Sequence, residues 1–439
     1  MYYLDKNTVL TIERIEKYIE DFKFRYQPRL LKNKRYFDCK NDTIMNRTFK
    51  DITKPNSKIA TPWSEYICTL ISGYFAGKPV TYDTQSEELK NILSSYTVKE
   101  VSHNQSLAKD CSIYGVAAEL LFINGDKQVQ FEKIEPSTVI PIYSTDITKE
   151  LIYCIRFWDS TDILTNETTT NIEVYDSRQI TYYSKSINGT VCTGKESHYF
   201  KEVPINIYYN NEDLTGDAEK VHTLIDGYDL SLSDTANFRE ELNDSYLCFR
   251  NTNLDEEAII AMKQNRIICI EDTEQGMQSD VHWLNKDSND TENENYKNRL
   301  ASDIKMFSCI SELENKSHTT ATAAKLSMLA LEQKCATKET YFRKALLNRW
   351  EMVCNYHNLL GSNITIEDLK ITFLRNIPLD LVSIGDFVAK MAPYISKRSL
   401  LSQIPFISDI DGELSAMEKE NSINSYDDDI LSGSDEDGQ

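Results

Sequence analysis

GDAEKVHTLIDGYDLSLSDTANFREEL (216–242) has the period of an α-helix. Val221, Leu224, Ile225, Tyr228, Leu232, Thr235, Leu242 and, just beyond, Tyr246 recur at three- and four-residue spacing and trace one stripe. The opposite face carries Asp226, Asp229, Asp234, Glu240, Glu241 and Asp244. Such a helix packs through its stripe and leaves its charge in water.

Outward from this helix the pattern changes on both sides. Downstream, 247–290 is short and mixed, with a helix expected at Leu254–Lys263 and a strand at Arg266–Ile270. Residues 291–313 return to helix period, with Tyr296, Leu300, Ile304, Phe307 and Ile310 in line. After a polar break at 314–320, a helix without Gly or Pro is expected from Ala321 to about Leu360. Forty such residues would reach about 60 Å, enough to brace several units. LKITFLR (369–375) reads as a strand, and helical pieces follow around Pro393 and Pro405. The last stretch, SYDDDILSGSDEDGQ, is acidic and of low complexity, and no Lys or Arg follows Lys419. Disorder is expected there.

Upstream, 112–210 holds short β-rich runs such as AAELLFI, VQFEKI, TVIPIY, IYCIRFW and QITYYS. Asn124-Gly125 and Asn188-Gly189 mark hairpins of a mostly antiparallel sheet. WSEYICTLISGYFA (63–76) reads as an apolar helix stopped by Gly77, Lys78 and Pro79. Val9, Ile12, Ile15, Ile19 and Phe22 outline an amphipathic helix near the start. The basic run after it (Arg25, Arg29, Lys32, Lys34, Arg35) reads as a solvated face. The fold class expected is α+β.

The 439 residues carry a formal net charge of −21, which argues against a sequence-reading DNA binder that grips phosphate. The ten cysteines are scattered, with no C-x-x-C pair, so neither a disulfide scaffold nor a metal site is expected. The opening run lacks the apolar core of a leader, and no apolar run nears the ~18 residues of a membrane span. The motifs G-x-S-x-G, H-E-x-x-H and G-x-G-x-x-G are missing, so no catalytic residues and no cofactor are assigned.

Gly189-Thr-Val-Cys-Thr-Gly194-Lys195-Glu196 has the G-x-x-x-x-G-K spacing of a P-loop. A P-loop needs Ser or Thr next, for Mg²⁺, and a helix whose N-terminus faces the phosphate. Here Glu196 would repel the nucleotide, and the following run contains Pro204. The segment reads as a hairpin loop. Asp427, Asp428 and Asp429 lie in the acidic end without a scaffold to fix metal geometry.

Five segments in order resemble the SPP1-like portal family of tailed bacteriophages with long non-contractile tails. ISGYFAGKPVTY (71–82) is similar to the family's helix–Gly–Lys–Pro–strand junction. YGVAAELLFING (114–125) and IEPSTVIPIY (134–143) are similar to its sheet. The stretch 216–242 resembles its first stem helix, and RLASDIKMFSCISELEN (299–315) its second. Where the family often has a Gly-containing Asn-x-Ser-Gly segment, this chain has NKSHTTATAA (315–324).

The resemblance implies a portal fold: a wing at 1–215, stem helix 1 at 216–246, a clip at 247–290 and stem helix 2 at 291–313. It continues with a tunnel loop at 314–320, a long brace helix and wing strand at 321–382, a helical crown at 383–424 and an acidic tail at 425–439. It implies a homo-oligomeric ring, typically a dodecamer, at one capsid vertex of the virion, assembled in the host cytoplasm. Double-stranded DNA would pass through it without sequence specificity. The implied partners are the terminase large subunit, head-completion or adaptor proteins, and capsid and scaffold proteins, with no membrane. Asn315, Lys316, Ser317, His318 and Thr319 would face DNA in the tunnel loop, and Trp283 and Arg266 would serve the adaptor-binding clip. Lys316 is the only formally positive residue of 314–320. His318 adds charge only below about pH 6.5. Two other readings are a nucleotide-binding enzyme using 189–196 and a monomeric scaffold or adaptor. ATP binding would support the first and a monomer in native mass spectrometry the second.

Overall fold

The computed structural model describes residues 1–50, 54–243, 246–250, 280–284, 290–310, 328–376 and 381–401, with 257, 260, 404, 412–417 and 419. The fold is α+β. In chain order the elements are β1 (Tyr2–Leu4), α1 (Ile12–Arg25), α2 (Gln27–Phe37), α3 (Asp42–Met45), α4 (Trp63–Ala76), β2 (Thr81–Asp83) and α5 (Glu87–Tyr114). Strands β3 (Val116–Ile123), β4 (Val129–Ile134), β5 (Val139–Ser144), β6 (Leu151–Thr161), β7 (Thr168–Tyr175), β8 (Gln179–Ser186), β9 (Gly189–Ser197) and β10 (Ile205–Tyr209) follow. Then come α6 (His222–Asn243), β11 (Tyr246–Arg250), β12 (Asp280–Leu284), α7 (Asp290–Phe307) and α8 (Leu329–Leu359). The last are β13 (Lys370–Thr372), α9 (Leu381–Met391) and α10 (Lys397–Leu401).

The chain divides into two compact units: Met1–Lys34, Tyr66–Glu219 and Cys309–Gln439 form one, Arg35–Glu65 and Lys220–Ser308 the other. In the first unit a six-stranded sheet has the order β1-β5-β6-β7-β8-β9. Its pairs are antiparallel except β1 with β5, which is parallel. A three-stranded sheet β10-β3-β4 and the pair β13-β2 complete it.

Several elements follow from local chemistry. In α1 the Thr11 side chain caps by accepting from Arg14 N, and Ile15, Ile19 and Phe22 are buried at helical spacing. Val9, placed in that stripe from sequence, precedes the helix and is exposed. Helix α5 starts at the Ser86 cap and ends at Gly115, whose φ is +82°. A Cβ on Gly115 would stand 2.0 Å from Leu214 O, so both its backbone and its surroundings require glycine.

The long helix α8 supplies the centre of the first unit. Its 31 residues span about 46 Å, shorter than expected, and 321–327 lie outside the described residues. Cys335, Lys338, Phe342, Ala345, Leu346, Arg349 and Val353 form its buried face. Two of these are cations, three turns apart. Lys338 Nζ donates to Asp217 Oδ2 at 2.7 Å and to Ser112 Oγ at 2.8 Å. Arg349, wholly buried, donates to Glu119 through Nε at 3.0 Å and Nη2 at 2.8 Å. Its Nη1 donates to Glu100 at 3.1 Å and to Asn104 Oδ1 at 2.9 Å. Glu119 also accepts from Asn206 at 3.0 Å and Tyr208 at 2.6 Å, and pairs with His103 Nε2 at 2.8 Å. Helices α5 and α8 and strands β3 and β10 thus meet at one carboxylate.

Burial alone would raise the pKa of Glu119, but the Arg349 charge and the His103 and Arg349 hydrogen bonds outweigh it and hold the carboxyl down to about 2. Asp217 is likewise depressed, with burial outweighed by Lys338 and Lys334. Breaking such a buried pair from one side costs about 3–5 kcal/mol. Arg349→Met should therefore lower unfolding free energy by that order in urea titration. Adding Glu119→Gln should recover part of it, because the orphaned charge is then gone. The depressed carboxyls also set a pH window. Their contribution is complete above the unfolded carboxylate pKa, about 4. It is lost as pH falls through about 2 for Glu119. In acid titrations the stability gap between wild type and Glu119→Gln should narrow across that interval.

Candidate functional site

The second unit is built on α6 and α7. Val221 and Ile225 are buried as expected, whereas Leu224, Tyr228, Leu232 and Thr235 are half-buried. On α7, Leu300 and Ile304 are buried, but Tyr296 and Phe307, placed in the same line from sequence, are exposed. The helix also ends at Phe307, not near 313. Ser308 N and Oγ both donate to Ile304 O, and Cys309 takes φ +67°, which stops the spiral.

The acidic face of α6 is not an open wall. Asp226 accepts from Tyr36 OH at 2.7 Å, and Tyr36 stacks on His222 with centroids 4.1 Å apart. Asp234 pairs with Arg47. Asp229 is fully buried and accepts from Thr61 N at 3.0 Å, from Thr61 Oγ1 and from Asn41 Nδ2. Burial pushes its carboxyl pKa up, and the Thr61 and Asn41 hydrogen bonds oppose that. Asp229 is therefore not available to a channel. Glu240 is exposed, while the side chains of Glu241 and Asp244 lie outside the described residues.

These contacts have a period. Thr61 N donates to Asp229, Ile59 N to Ser233 Oγ at 3.0 Å, and Ser57 N to Asn237 Oδ1 at 2.7 Å. Every second residue of the 57–61 strap meets every fourth residue of α6, in the opposite direction. Four helical residues rise about 6 Å, and two extended residues span roughly 6.6 Å, so the two repeats match. Asp229, Ser233 and Asn237 are the buried polar line that results. The pair Lys58 Nζ to Met45 O, 2.6 Å, fixes the strap again at α3.

The other expected positions stand as follows. Asn315, Lys316, Ser317, His318, Thr319 and Arg266 lie outside the described residues, as do Leu254–Lys263 (except 257 and 260) and Arg266–Ile270. Trp283 is on β12, opposite Leu247 of β11 in an antiparallel pair. The expected loop at 189–196 is instead strand β9, paired with β8, Lys195 opposite Thr181 and Glu196 opposite Ile180. A strand alternates its N–H groups from side to side and cannot cradle a phosphate, and no helix follows it. Among the described residues no three His, Cys, Asp or Glu side chains gather to hold a metal ion, and no helix is long and apolar enough to cross a membrane.

Sequence reading missed the strap, because 54–62 has no regular structure and its partners lie 168–180 residues away. It also missed Lys338 and Arg349. Their one signal was a charged residue in step with the apolar stripe of α8.

Over residues 16–425 the sequence matches the family described as phage portal protein, SPP1 Gp6-like. It is similar to the portal protein of Clostridium phage phiCD119, 22% identical over a 435-residue alignment that covers 92% of this chain and 94% of that protein. It is also similar to the portal protein of Bacillus phage SPP1, 23% identical over 232 residues, 47% of this chain. That second match spans about half of the relative, 46% of its length.

The strap generates a test within the unit. Asp229→Ala removes the acceptor for Thr61 N and Asn41 Nδ2 and should cost about 1–3 kcal/mol in chemical denaturation. Ser233→Ala, which removes one neutral rung, should cost about 1 kcal/mol. Hydrogen exchange at the Ile59 and Thr61 amides should quicken in both variants. Unchanged exchange would mean that the ladder does not hold the strap.

Proposed function

This chain belongs to the phage portal protein family, SPP1 Gp6-like, and from that premise we propose that it closes into a ring, typically of twelve copies, as the DNA conduit of one capsid vertex. The observation that carries this reading is the order of α6, the β11–β12 pair, α7 and α8 on a chain whose residues 16–425 match the family. In it α6 and α7 are the stem, 247–290 the clip and 314–320 the tunnel loop. Helix α8 is the brace, the sheets before α6 the wing, and 383–424 the crown.

The terminase large subunit docks on the ring and drives double-stranded DNA through it. Head-completion or adaptor proteins follow at the clip, around Trp283 and Arg266, while capsid and scaffold proteins hold the ring in its vertex. The ring itself carries no hydrolytic centre. The chain's net charge of −21 makes most of its surface repel phosphate. Duplex DNA carries a charge about every 1.7 Å, so it slides in such a ring rather than sticking. Lys316, in the tunnel loop, offers light contact at the narrowest point, and salt and water reduce each contact to a surface ion pair of about 0–1 kcal/mol. The strap refines this picture, because Asp229 is spent inside the subunit and the charge that faces DNA comes from other acids.

Native mass spectrometry and negative-stain microscopy of purified protein test the ring; a monomer at all concentrations would end the reading. For the tunnel, Lys316→Ala should leave ring assembly intact and change DNA retention less than about fivefold, as a contact near 1 kcal/mol implies. Lys316→Glu should reduce packaged DNA more, since it adds a like charge per subunit at the constriction. Wild-type packaging and retention by Lys316→Glu would remove Lys316 from the axis.

A further inference from the structure

Glu100 is 5% exposed and takes all of its hydrogen bonds on one oxygen. Its Oε1 accepts from Tyr82 OH, from Asn104 Nδ2 at 3.0 Å and from Arg349 Nη1 at 3.1 Å. Its Oε2 accepts none among the described residues. The charge around it is also uneven. With the His103 imidazole neutral, the carboxylates of Glu100 and Glu119 share the one guanidinium of Arg349, and one negative charge is left over. The phenols of Tyr82 and Tyr208 add no charge, since burial pushes both well above the usual tyrosine range. A buried carboxylate without a counter-charge is costly to keep ionised.

Glu100 lines a cavity of about 40 Å³ together with Lys78, Tyr82, Thr97, Asn104 and Phe342, among others. One water needs roughly 10–15 Å³, so the cavity has room for about three, and its polar lining suits them. Lys78 is the one cation of that lining. It is half-buried and makes no hydrogen bond or ion pair among the described residues. Gly77 fixes where this lysine starts. A Cβ there would stand 2.2 Å from Gly73 O and 2.9 Å from Asn376 Cβ, so the junction after α4 is closely packed. Asn376 N holds the same turn by donating to Tyr74 O at 3.1 Å. Gly77-Lys78-Pro79, which in the sequence is only a helix stop, therefore brings an ammonium to the wall of the Glu100 cavity.

We propose that Lys78 is the counter-charge of Glu100, acting through ordered water held in this cavity, and that it pins the α4–β2 junction to the buried charges of α5 and α8. A bridging water is nearly as good in enthalpy as a direct hydrogen bond. Val101, Phe342 and Phe373 form apolar parts of the same wall, so the pair is screened less than one on open surface. Lys78 is thus a positioning residue for the α8 network. The inference concerns a single chain and does not depend on the ring.

The test is a double-mutant cycle in the full chain, read by urea titration at pH 8. Lys78→Met keeps the aliphatic stem and removes the charge. It should lower the folded-to-unfolded ratio about tenfold, the scale of a hydrogen bond to a charged group. In a Glu100→Gln background the same substitution should change the ratio less than about twofold, because the carboxylate it answers is gone. Lys78→Arg keeps the charge and should stay within about twofold of wild type, as should Lys344→Met at an exposed position of α8. Amide hydrogen exchange gives a second reading, which serves also if a Glu100→Gln chain does not fold. Exchange across 77–83 and 97–104 should quicken in Lys78→Met and not in Lys78→Arg or Lys344→Met. Equal losses from Lys78→Met in both backgrounds would make the lysine a packing or surface residue and overturn the proposal. Unchanged stability and exchange in Lys78→Met would overturn it as well.

Discussion

The first unit depends on charges that have no access to water. Arg349 and Glu119 are both fully buried, and their ion pair is tolerable only because every remaining valence is met. Glu100 and Asn104 occupy the other guanidinium nitrogen, and Asn206, Tyr208 and His103 occupy the other carboxylate directions. A second pair, Lys338 with Asp217, repeats the arrangement three turns away on α8. An apolar interface would permit the helix to slide by a turn at modest cost. Two buried ion pairs on one rigid helix do not, because any slip orphans several charged or polar groups together. For a subunit proposed to work under the load of a packaging motor, fixed register between the long helix and the sheets matters more than the last increment of stability.

The second unit uses the same economy of position with neutral and acidic groups. A strap without regular structure acquires a defined path because α6 presents an acceptor every fourth residue. What looks from the sequence like a solvated acidic helix is partly an internal binding surface for the chain's own backbone.

The legible parts of the fold were those whose signals are local. Helix α4 stops where Gly77-Lys78-Pro79 says it must, and the hairpin marked by Asn188-Gly189 is present, although its two turn residues are Ile187 and Asn188 and Gly189, with its positive φ, opens β9. Asn124 also turns the chain, but through its side chain, which accepts from Asp126 N and Gln128 N. Helix α5 was illegible for a physical reason: its inward face includes Glu100, His103, Asn104 and Asp110, so no apolar stripe announces it. Strand β1 is three residues long and takes its identity from β5, more than a hundred residues away. The acids of α6 were correctly placed on a helix, yet Asn41, Arg47 and Thr61, which occupy them, carry no mark of that role. The tunnel-loop residues 315–319 rest on family resemblance, and Trp283 is placed as far as its strand.

The strap ladder has one more property, that of a vernier. Its two repeats, about 6 Å on the helix and roughly 6.6 Å on the extended chain, agree closely but not fully, so the offset grows by about 0.6 Å per rung. Over the two steps from Asp229 to Asn237 it stays within what hydrogen-bond geometry absorbs. A few rungs more would carry donor and acceptor out of reach. The ladder is therefore self-limiting in length and has a single best alignment, which a longer or shorter strap would lose.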